Sequence, residues 1–232
     1  MNIKTHFFGR ECQIDKELCN HASLEAGLQE QNINFSNIVF VNQVHGRDVI
    51  VIDHQNKIHG KQGLPKADAL VTNIPNLILA VITADCAPIL LQDNQAGIIA
   101  AIHAGWRGAK VGVINSTITE MKKLGAKTEN IAAAIGPMIH QESYQVSEEF
   151  FDDFMQENSA NKKFFINDVE PRKHLFNLPF YVTEKLQKEG IKTIQNSTKN
   201  TYKNFEHYAS FRKSTHLGEK DCGRNVSVIG IN

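Results

Sequence analysis

Two apolar stretches near the middle of the chain decide its fold: LILAVITADCAPILL (residues 77–91) and GIIAAIHA (residues 97–104). Both are short and nearly continuous, which is typical of strands that are buried on both faces of a sheet. The longer stretch is interrupted by Thr83, Asp85 and Pro88 and is too short to cross a bilayer as a helix. We therefore expect buried core strands here and no membrane partner.

The segments before this core also predict strands. IVFVNQVH (residues 38–45) and DVIVID (residues 48–53) flank Gly46-Arg47, which is the pattern of a β-hairpin. DALVTN (residues 68–73) predicts a short strand, and the polar residues 55–66 predict a surface loop. The first half of the chain is thus expected to be mainly β-structure.

The second half mixes helices with strands. Apolar residues recur at helical spacing from Gly108 towards Gly125, where the helix is expected to end. The further predicted elements are a strand in IAAAIG (residues 131–136), a helix over residues 148–155 capped by Ser147, a helix over residues 178–188 between Asn177 and Gly190, and a closing strand NVSVIGI (residues 225–231). This order predicts an α+β fold, a mixed β-sandwich with flanking helices, and disfavours a regular βαβ array.

Composition limits the size class and the partners. The 232 residues, 41% of them hydrophobic, suffice for one large core, so residues 1–232 are expected to form a single domain. Lysine plus arginine and aspartate plus glutamate both number 25, which favours a small-molecule partner over nucleic acid or a membrane; no protein partner is inferred. The N-terminus lacks the apolar segment of a secretory signal, so we expect a cytoplasmic protein with reduced cysteines, namely Cys12, Cys19, Cys86 and Cys222.

Three short motifs place metal-ligating side chains at the ends or turns of the predicted core strands: His45 in QVHG, Cys86 in ADCAP and His103 in HAGWRG. The gaps of 41 and 17 residues match no zinc finger. A catalytic zinc, however, uses three protein ligands and leaves one position open, and two histidines with one cysteine fit that type. The residue types alone leave the alternative open that these are an inert buried cysteine and hydrogen-bonded histidines.

The same motifs resemble a known family. QVHG, DALVTN, ADCAPILL, AAIHAGWRGAKVGVI, AIGPMIHQESYQV, LPFYVTEKLQKEGI and HYASFRKS…GRNVSVIGI are similar, in order and spacing, to blocks of the YfiH-type multifunctional purine nucleoside phosphorylases, also labelled laccase-domain or polyphenol oxidase proteins. The likeness covers nearly the whole chain from Val41 onward, and HAGWRG is highly specific. It implies zinc on His45, Cys86 and His103 and an α+β fold with a mixed β-sandwich. It also implies phosphorolysis of adenosine, inosine, guanosine and 5′-methylthioadenosine, and hydrolytic deamination of adenosine.

The chain departs from the family pattern in two places. Met138, Glu142 and Ser143 stand where relatives usually carry cysteines after the IGP segment. The YRRD-like stretch is represented by residues 211–214, with Lys213 in place of the second arginine. Lysine cannot hold an anion in a bidentate manner as arginine does, which leaves Arg212 as the candidate of this stretch for binding substrate or phosphate.

Charged residues beside the predicted ligands are candidates for binding or catalysis. Asp85 either orients a ligand histidine or positions the reacting water; the alternative is a strand-end acid that accepts from local backbone N–H groups. Arg47 and Arg107 are candidates to hold phosphate or the ribose hydroxyls, Arg107 at a helix N-terminus, and an ordinary surface arginine is the alternative for each.

Other neighbours of the motifs carry weaker expectations. Trp106 either stacks on a base or packs in the core. His207 and Tyr208 are expected to line the pocket. Gly105 and Gly108 are expected to allow the turn into the helix and a close approach of the backbone to a ligand. The three cysteines outside the metal motifs are expected to be dispensable.

Together, the motifs and the family resemblance predict a zinc-dependent purine nucleoside phosphorylase that binds purine nucleosides and phosphate and also deaminates adenosine. Copper is the alternative metal and would make the protein a laccase-like polyphenol oxidase, although the H-x-H motifs of multicopper sites are absent from the chain. A metal-free hydrolase with Cys86 as nucleophile and His103 as base is a second alternative. A non-enzymatic binding or scaffold protein is the third.

Overall fold

The computed structural model of the chain describes residues 2–12, 22–33, 37–53 and 64–231. Cys19 and most of the predicted loop at residues 55–66 lie outside these described residues. The strands within them are β1 (Ile3–Phe8), β2 (Asn37–Val39), β3 (Val49–Ile52), β4 (Ala69–Thr72), β5 (Leu77–Thr83), β6 (Ala87–Asp93), β7 (Ile98–Ala104), β8 (Ile131–Ile135), β9 (Gln145–Ser147), β10 (Phe165–Asn167), β11 (Lys173–Phe176), β12 (Thr193–Asn196) and β13 (Asn225–Ile231). The α-helices are α1 (Ala22–Glu30), α2 (Trp106–Val111), α3 (Val113–Lys123), α4 (Glu148–Glu157), α5 (Leu178–Lys188) and α6 (Phe211–Leu217).

Two mixed sheets form the centre of the molecule. One sheet has four strands in the order β1-β13-β5-β2, and the other has six in the order β12-β8-β6-β7-β4-β3. Their facing sides share one cluster of buried residues, to which Leu79 and Ile229 contribute from the first sheet and Leu90 and Ala101 from the second. The predicted mixed β-sandwich with flanking helices is therefore confirmed.

The outer faces of both sheets are covered as well. Ile89 and Ile102 of the six-stranded sheet pack in a second cluster with Ile118 of α3 and Val182 of α5, and the small sheet β10-β11-β9 joins the same cluster. Leu24 and Leu28 of α1 cover the four-stranded sheet. Because helices bury the faces that would otherwise meet water, β6 and β7 carry continuous apolar runs with no polar alternation.

The predicted hairpin at Gly46-Arg47 is wrong. β2 pairs in parallel with β5 of the four-stranded sheet, and β3 pairs in parallel with β4 of the six-stranded sheet. The intervening segment crosses between the sheets because the backbone N–H groups of Val44, His45 and Gly46 turn towards the Asp68 carboxylate. His45 takes a left-handed φ of 59° in this turn.

The helix predicted from Gly108 is divided in two. Gly112 has a φ of 102° and separates α2 from α3, and Gly125, with a φ of 110°, follows α3 as predicted. The predicted caps of α4 and α5 are confirmed, since the Ser147 and Asn177 side chains accept hydrogen bonds from backbone N–H groups of the first turn. No helix in the described part of the chain has the length and apolar character that a membrane crossing requires.

Candidate metal centre

His45, Cys86 and His103 meet where the chain passes between the two sheets. Cys86 lies in the link from β5 to β6, His103 lies near the end of β7, and His45 lies in the segment that crosses between the sheets. Their ligand atoms all lie within 4.8 Å of one another, and the Cys86 Sγ atom is 3.8 Å from His45 Nε2. The three residues predicted as ligands are therefore brought together.

A buried carboxylate holds two of these ligands in place. Asp68, which is 0% exposed, accepts a hydrogen bond at Oδ1 from His103 Nδ1 (2.8 Å) and another from the backbone N–H of His45 (2.9 Å). Its Oδ2 accepts from Gly46 N at 2.6 Å and from Val44 N at 3.2 Å. With Nδ1 bound to Asp68, His103 has its Nε2 left for a metal, which is the usual arrangement of a ligating histidine.

The geometry fits a small tetrahedral metal ion. Zinc bonds of about 2.0–2.3 Å put neighbouring ligand atoms roughly 3.5 Å apart, so the three ligand atoms, now within 4.8 Å of one another, would move closer together around the ion. Gly105 borders this space: a Cβ atom there would lie 2.8 Å from Cys86 Sγ and 3.1 Å from His45 Cδ2. The three side chains can hold a metal. Because Gly105 has no side chain, the space between them stays free for the ion.

The electrostatics favour the ligating form of the cysteine. Burial raises the pKa of the Cys86 thiol, but the charge of His103 and hydrogen bonds from both histidines outweigh it, and the pKa falls to about 6. Burial lowers the pKa of His103, but Cys86 and the Asp68 hydrogen bond outweigh it and raise the pKa to about 9. The thiolate is the form of cysteine that binds metals, and it is available at neutral pH.

The centre opens into a cleft of about 910 Å³. Besides the three ligands, its lining includes the aromatic residues Trp106, Tyr144 and Phe211. Arg212 and Arg224 line the same cleft. A volume of this size lies within the range of small-molecule sites, and the mixture of rings, cations and metal ligands suits an aromatic ligand that carries polar groups.

Asp85 is anchored away from the ligand histidines. Its Oδ1 accepts from Thr201 Oγ1 at 2.6 Å, and its Oδ2 accepts from the Arg212 backbone N–H at 2.7 Å. The prediction that Asp85 orients a ligand histidine is wrong, because Asp68 makes that contact. The other possibility, that Asp85 positions the reacting water, stays a prediction. Asp85 borders the cleft next to Cys86 and fixes the position of Arg212.

The three predicted phosphate-binding arginines differ in position. Arg212 lines the cleft, and its Nη1 donates to the Gln145 carbonyl oxygen at 2.8 Å. Arg107 is exposed and donates from Nη2 to the Val44 carbonyl (2.7 Å) and from Nε to the His45 carbonyl (3.2 Å). Arg107 thus stabilises the segment that carries His45. Neither Arg107 nor the exposed Arg47 is among the described residues that line the cleft.

Of the other residues expected near the site, some line the cleft and others do not. Trp106 lines the cleft and packs edge-on against Phe150, with ring centroids 4.8 Å apart. It therefore contacts both the cleft and the hydrophobic core. His207 and Tyr208 were expected at the pocket but are not part of its described lining; the His207 carbonyl instead accepts from Arg10 N at 2.8 Å. Cys222 lines the cleft, which its motif did not indicate.

The sequence patterns did not single out Asp68, which contacts His103, or Arg224, which lines the cleft. Asp68 opens DALVTN, and an acid at a strand start usually caps local backbone groups, so its partner 35 residues away left no local signal. Arg224 stands in the GRN part of the last family block, where a basic residue beside a glycine is an ordinary turn feature. The two family blocks that contain these residues were the available signal, since the resemblance extends through both of them.

Comparisons with known proteins identify the family of the chain. The family described as multi-copper polyphenol oxidoreductase laccase matches residues 13–232. A purine nucleoside phosphorylase of Rickettsia conorii is 40% identical over 192 residues, which cover 83% of this chain and 77% of the relative. An adenosine deaminase of an unknown prokaryotic organism is 33% identical over 177 residues, covering 71% of this chain and 66% of the relative.

A solved structure has the same fold. The Bacillus licheniformis protein YfiH superposes with a TM-score of 0.85 at 22% identity, covering 99% of this chain and 93% of that protein. The family match spans nearly the whole chain and includes all three candidate ligands, His45, Cys86 and His103. The chain belongs to the laccase-domain family whose YfiH-named members it resembles in sequence motifs and in fold.

Proposed function

We propose that this protein is a zinc-dependent purine nucleoside phosphorylase that also deaminates adenosine. The observation that carries the proposal is the convergence of His45, Cys86 and His103 at a cleft that also contains Arg212. In phosphorolysis, adenosine, inosine, guanosine or 5′-methylthioadenosine reacts with phosphate to give the free base and the ribose 1-phosphate (5-methylthioribose 1-phosphate in the last case). In deamination, adenosine and water give inosine and ammonia.

For deamination, the residues of the chain position the metal and the base. A bound zinc supplies Lewis acidity, which makes water reactive near neutral pH. Asp68 holds His103 with its Nε2 free, and Arg107 holds the backbone on either side of His45. Trp106 and Tyr144 offer ring faces in the cleft against which a purine can pack. Asp85, beside Cys86, supports the site by fixing Arg212.

For phosphorolysis, a cation has to hold phosphate in line with the C1′ atom of the ribose while the glycosidic bond breaks. Of the arginines predicted from the sequence, Arg212 is the one that lines the cleft. Its guanidinium lies 5.5 Å from the centroid of the Tyr144 ring, so a cation and an aromatic surface adjoin. These positions support the proposal that Arg212 binds phosphate and that Arg107 has a positioning function.

The test uses protein purified without added metal. Zinc and copper are quantified by mass spectrometry, and bases and nucleosides are separated by chromatography. We expect stoichiometric zinc, hypoxanthine from inosine only when phosphate is supplied, and inosine from adenosine without phosphate. Cys86→Ala should lose metal and both activities, and the buried Cys12→Ala, a core cysteine outside the cleft, is the matched control. Absence of turnover of every purine nucleoside by zinc-loaded protein would contradict the proposal.

A copper-dependent polyphenol oxidase is the second candidate, because the family description names that activity. Multicopper chemistry needs several metal sites, whereas the described residues contain one group of three or more potential ligands, at His45, Cys86 and His103. Oxygen uptake with a phenol by copper-loaded protein tests this candidate. Activity that survives complete metal removal would instead support the hydrolase that uses Cys86 and His103.

A further inference from the structure

The cleft has a cationic side that the metal centre does not use. Arg212 lies in the first turn of α6, and Arg224 lies just before β13, so the segment around α6 brings both arginines to one cleft. We refer to Arg212 and Arg224 as the arginine pair. The N–H of Arg212 is tied to Asp85, the neighbour of the ligand Cys86, which links the pair to the metal end of the cleft.

Each guanidinium is held at one end. Arg224 Nη1 donates to the Gly223 carbonyl at 2.6 Å and to Cys222 Sγ at 2.9 Å. Arg212 Nη1 donates to the Gln145 carbonyl. The side-chain hydrogen bonds of both arginines within the described residues start from Nη1, so Nε and Nη2 of each remain for a ligand. An arginine anchored in this way loses little conformational entropy when it binds an oxyanion.

Two acids lie near the arginine pair, and one of them forms an ion pair with Arg224. The Asp221 Oδ1 atom lies 3.8 Å from Arg224 Nη1, and its side chain is 55% exposed. Asp85 also borders the cleft, but its two oxygens accept from Thr201 and from the Arg212 backbone. Partly exposed guanidinium groups with free donors match the tetrahedral oxygens of a phosphoryl group, which arginine binds in a bidentate manner.

We propose that Arg224 acts with Arg212 as the binding site for a phosphoryl group in the cleft. The inference deepens the proposed function and rests on it for the nature of the ligand. The phosphoryl group is either inorganic phosphate, the second substrate of phosphorolysis, or the 5′-phosphate of a purine nucleotide. Both present the same oxyanion, and a cleft of about 910 Å³ has room for a nucleoside together with such a group.

The test compares zinc-loaded wild-type protein with Arg224→Gln and Arg224→Lys. Arg172→Gln is the matched control, since Arg172 has a 78% exposed side chain and does not line the cleft. Isothermal titration calorimetry measures binding of inorganic phosphate and of AMP, and kinetics measure the KM for phosphate with inosine. We expect Arg224→Gln to weaken phosphate binding and to raise this KM by about ten- to a hundredfold, the value of a charge-assisted hydrogen bond. Arg224→Lys should raise this KM less, because lysine keeps the positive charge and loses only the bidentate hydrogen bonding.

Adenosine deamination without phosphate provides the internal comparison, and Arg224→Gln should lower it less than it lowers phosphorolysis. If AMP binding falls and phosphate binding does not, the site takes the nucleotide phosphate. If neither falls, the arginine pair is not a phosphoryl site and the inference is wrong. If wild-type protein turns over no nucleoside but binds phosphate through Arg224, the site stands and the proposed function is wrong.

Discussion

The metal centre and the arginine pair line the same cleft but are built in different ways. The metal centre draws on the crossing segment, the β5–β6 link and β7, which belong to the central sandwich. Its supporting groups are buried, with Asp68 at 0% and His103 at 3% exposure. The arginine pair comes from the C-terminal part of the chain, and the Arg224 side chain is 34% exposed.

Substitutions in the two sites should therefore have different consequences. A ligand held by buried hydrogen bonds cannot shift without disturbing the core, so small changes there should cost metal affinity steeply. A partly exposed guanidinium outside the central sandwich can be replaced without disturbing the core, so changes there should affect substrate binding and leave the metal in place. Matched substitutions in the two sites test this difference.

The largest effect is expected from removal of a ligand. Cys86→Ala, and equally His45→Ala or His103→Ala, should abolish stoichiometric zinc binding, because two remaining ligands hold a metal weakly. The fold should persist, since the site lies at the edge of a preformed core. Metal analysis and circular dichroism measure the two outcomes. Cys222→Ser, on the arginine side of the cleft, is the matched control and should keep its zinc; full zinc occupancy in a ligand variant would remove that residue from the set.

Asp68 and Asp85 allow a second contrast. Asp68→Asn should lower zinc affinity by about ten- to a hundredfold, because His103 loses the carboxylate that orients it. Asp85→Asn should leave zinc affinity nearly unchanged and raise the KM for phosphate, since Asp85 holds Arg212. Competition with a chromophoric chelator measures zinc affinity in both variants. A larger loss of zinc in Asp85→Asn than in Asp68→Asn would reverse the assignment.

Gly105 tests how tightly the metal end is packed. In Gly105→Ala the new Cβ would lie 2.8 Å from Cys86 Sγ, so the thiolate has to move. Overpacking of about 1–2 kcal/mol corresponds to a roughly five- to thirtyfold loss of zinc affinity. Gly46→Ala is the control, because its Cβ would meet the Asp68 carboxylate at an ordinary 3.5 Å. Equal zinc affinity in the two variants would mean that the centre adapts easily.

Arg107 should give the smallest effect. Arg107→Ala removes two hydrogen bonds to the carbonyls of Val44 and His45 at the exposed side of the centre. Together, these two exposed bonds should contribute about 0.5–1.5 kcal/mol, so phosphorolysis and deamination should both fall about two- to tenfold, by the same factor. Parallel assays of the two reactions provide the measurement. A selective loss of phosphorolysis would restore Arg107 as a phosphate-binding residue.

Local patterns predicted most elements of the fold. The apolar runs at residues 77–91 and 97–104 form β5, β6 and β7, and Ser147 and Asn177 begin helices where expected. The hairpin at Gly46-Arg47 was wrong although its residue pattern was favourable. Two β-rich runs around a glycine do not reveal that a carboxylate elsewhere in the chain captures the intervening N–H groups.

The chemistry of the site divides in the same way. The types and order of His45, Cys86 and His103, together with the family motifs around them, are properties of the sequence, and they sufficed to predict a three-ligand centre. The partners of those ligands depend on the tertiary structure: Asp68 meets His103 across 35 residues, and Asp85 meets Arg212 across 127. Both acids adjoin strands and are alike in local pattern, so only the packing of the two sheets decides which carboxylate faces the histidine and which anchors the arginine. Hydrogen bonds act over about 3 Å of space, whereas a sequence records only distance along the chain.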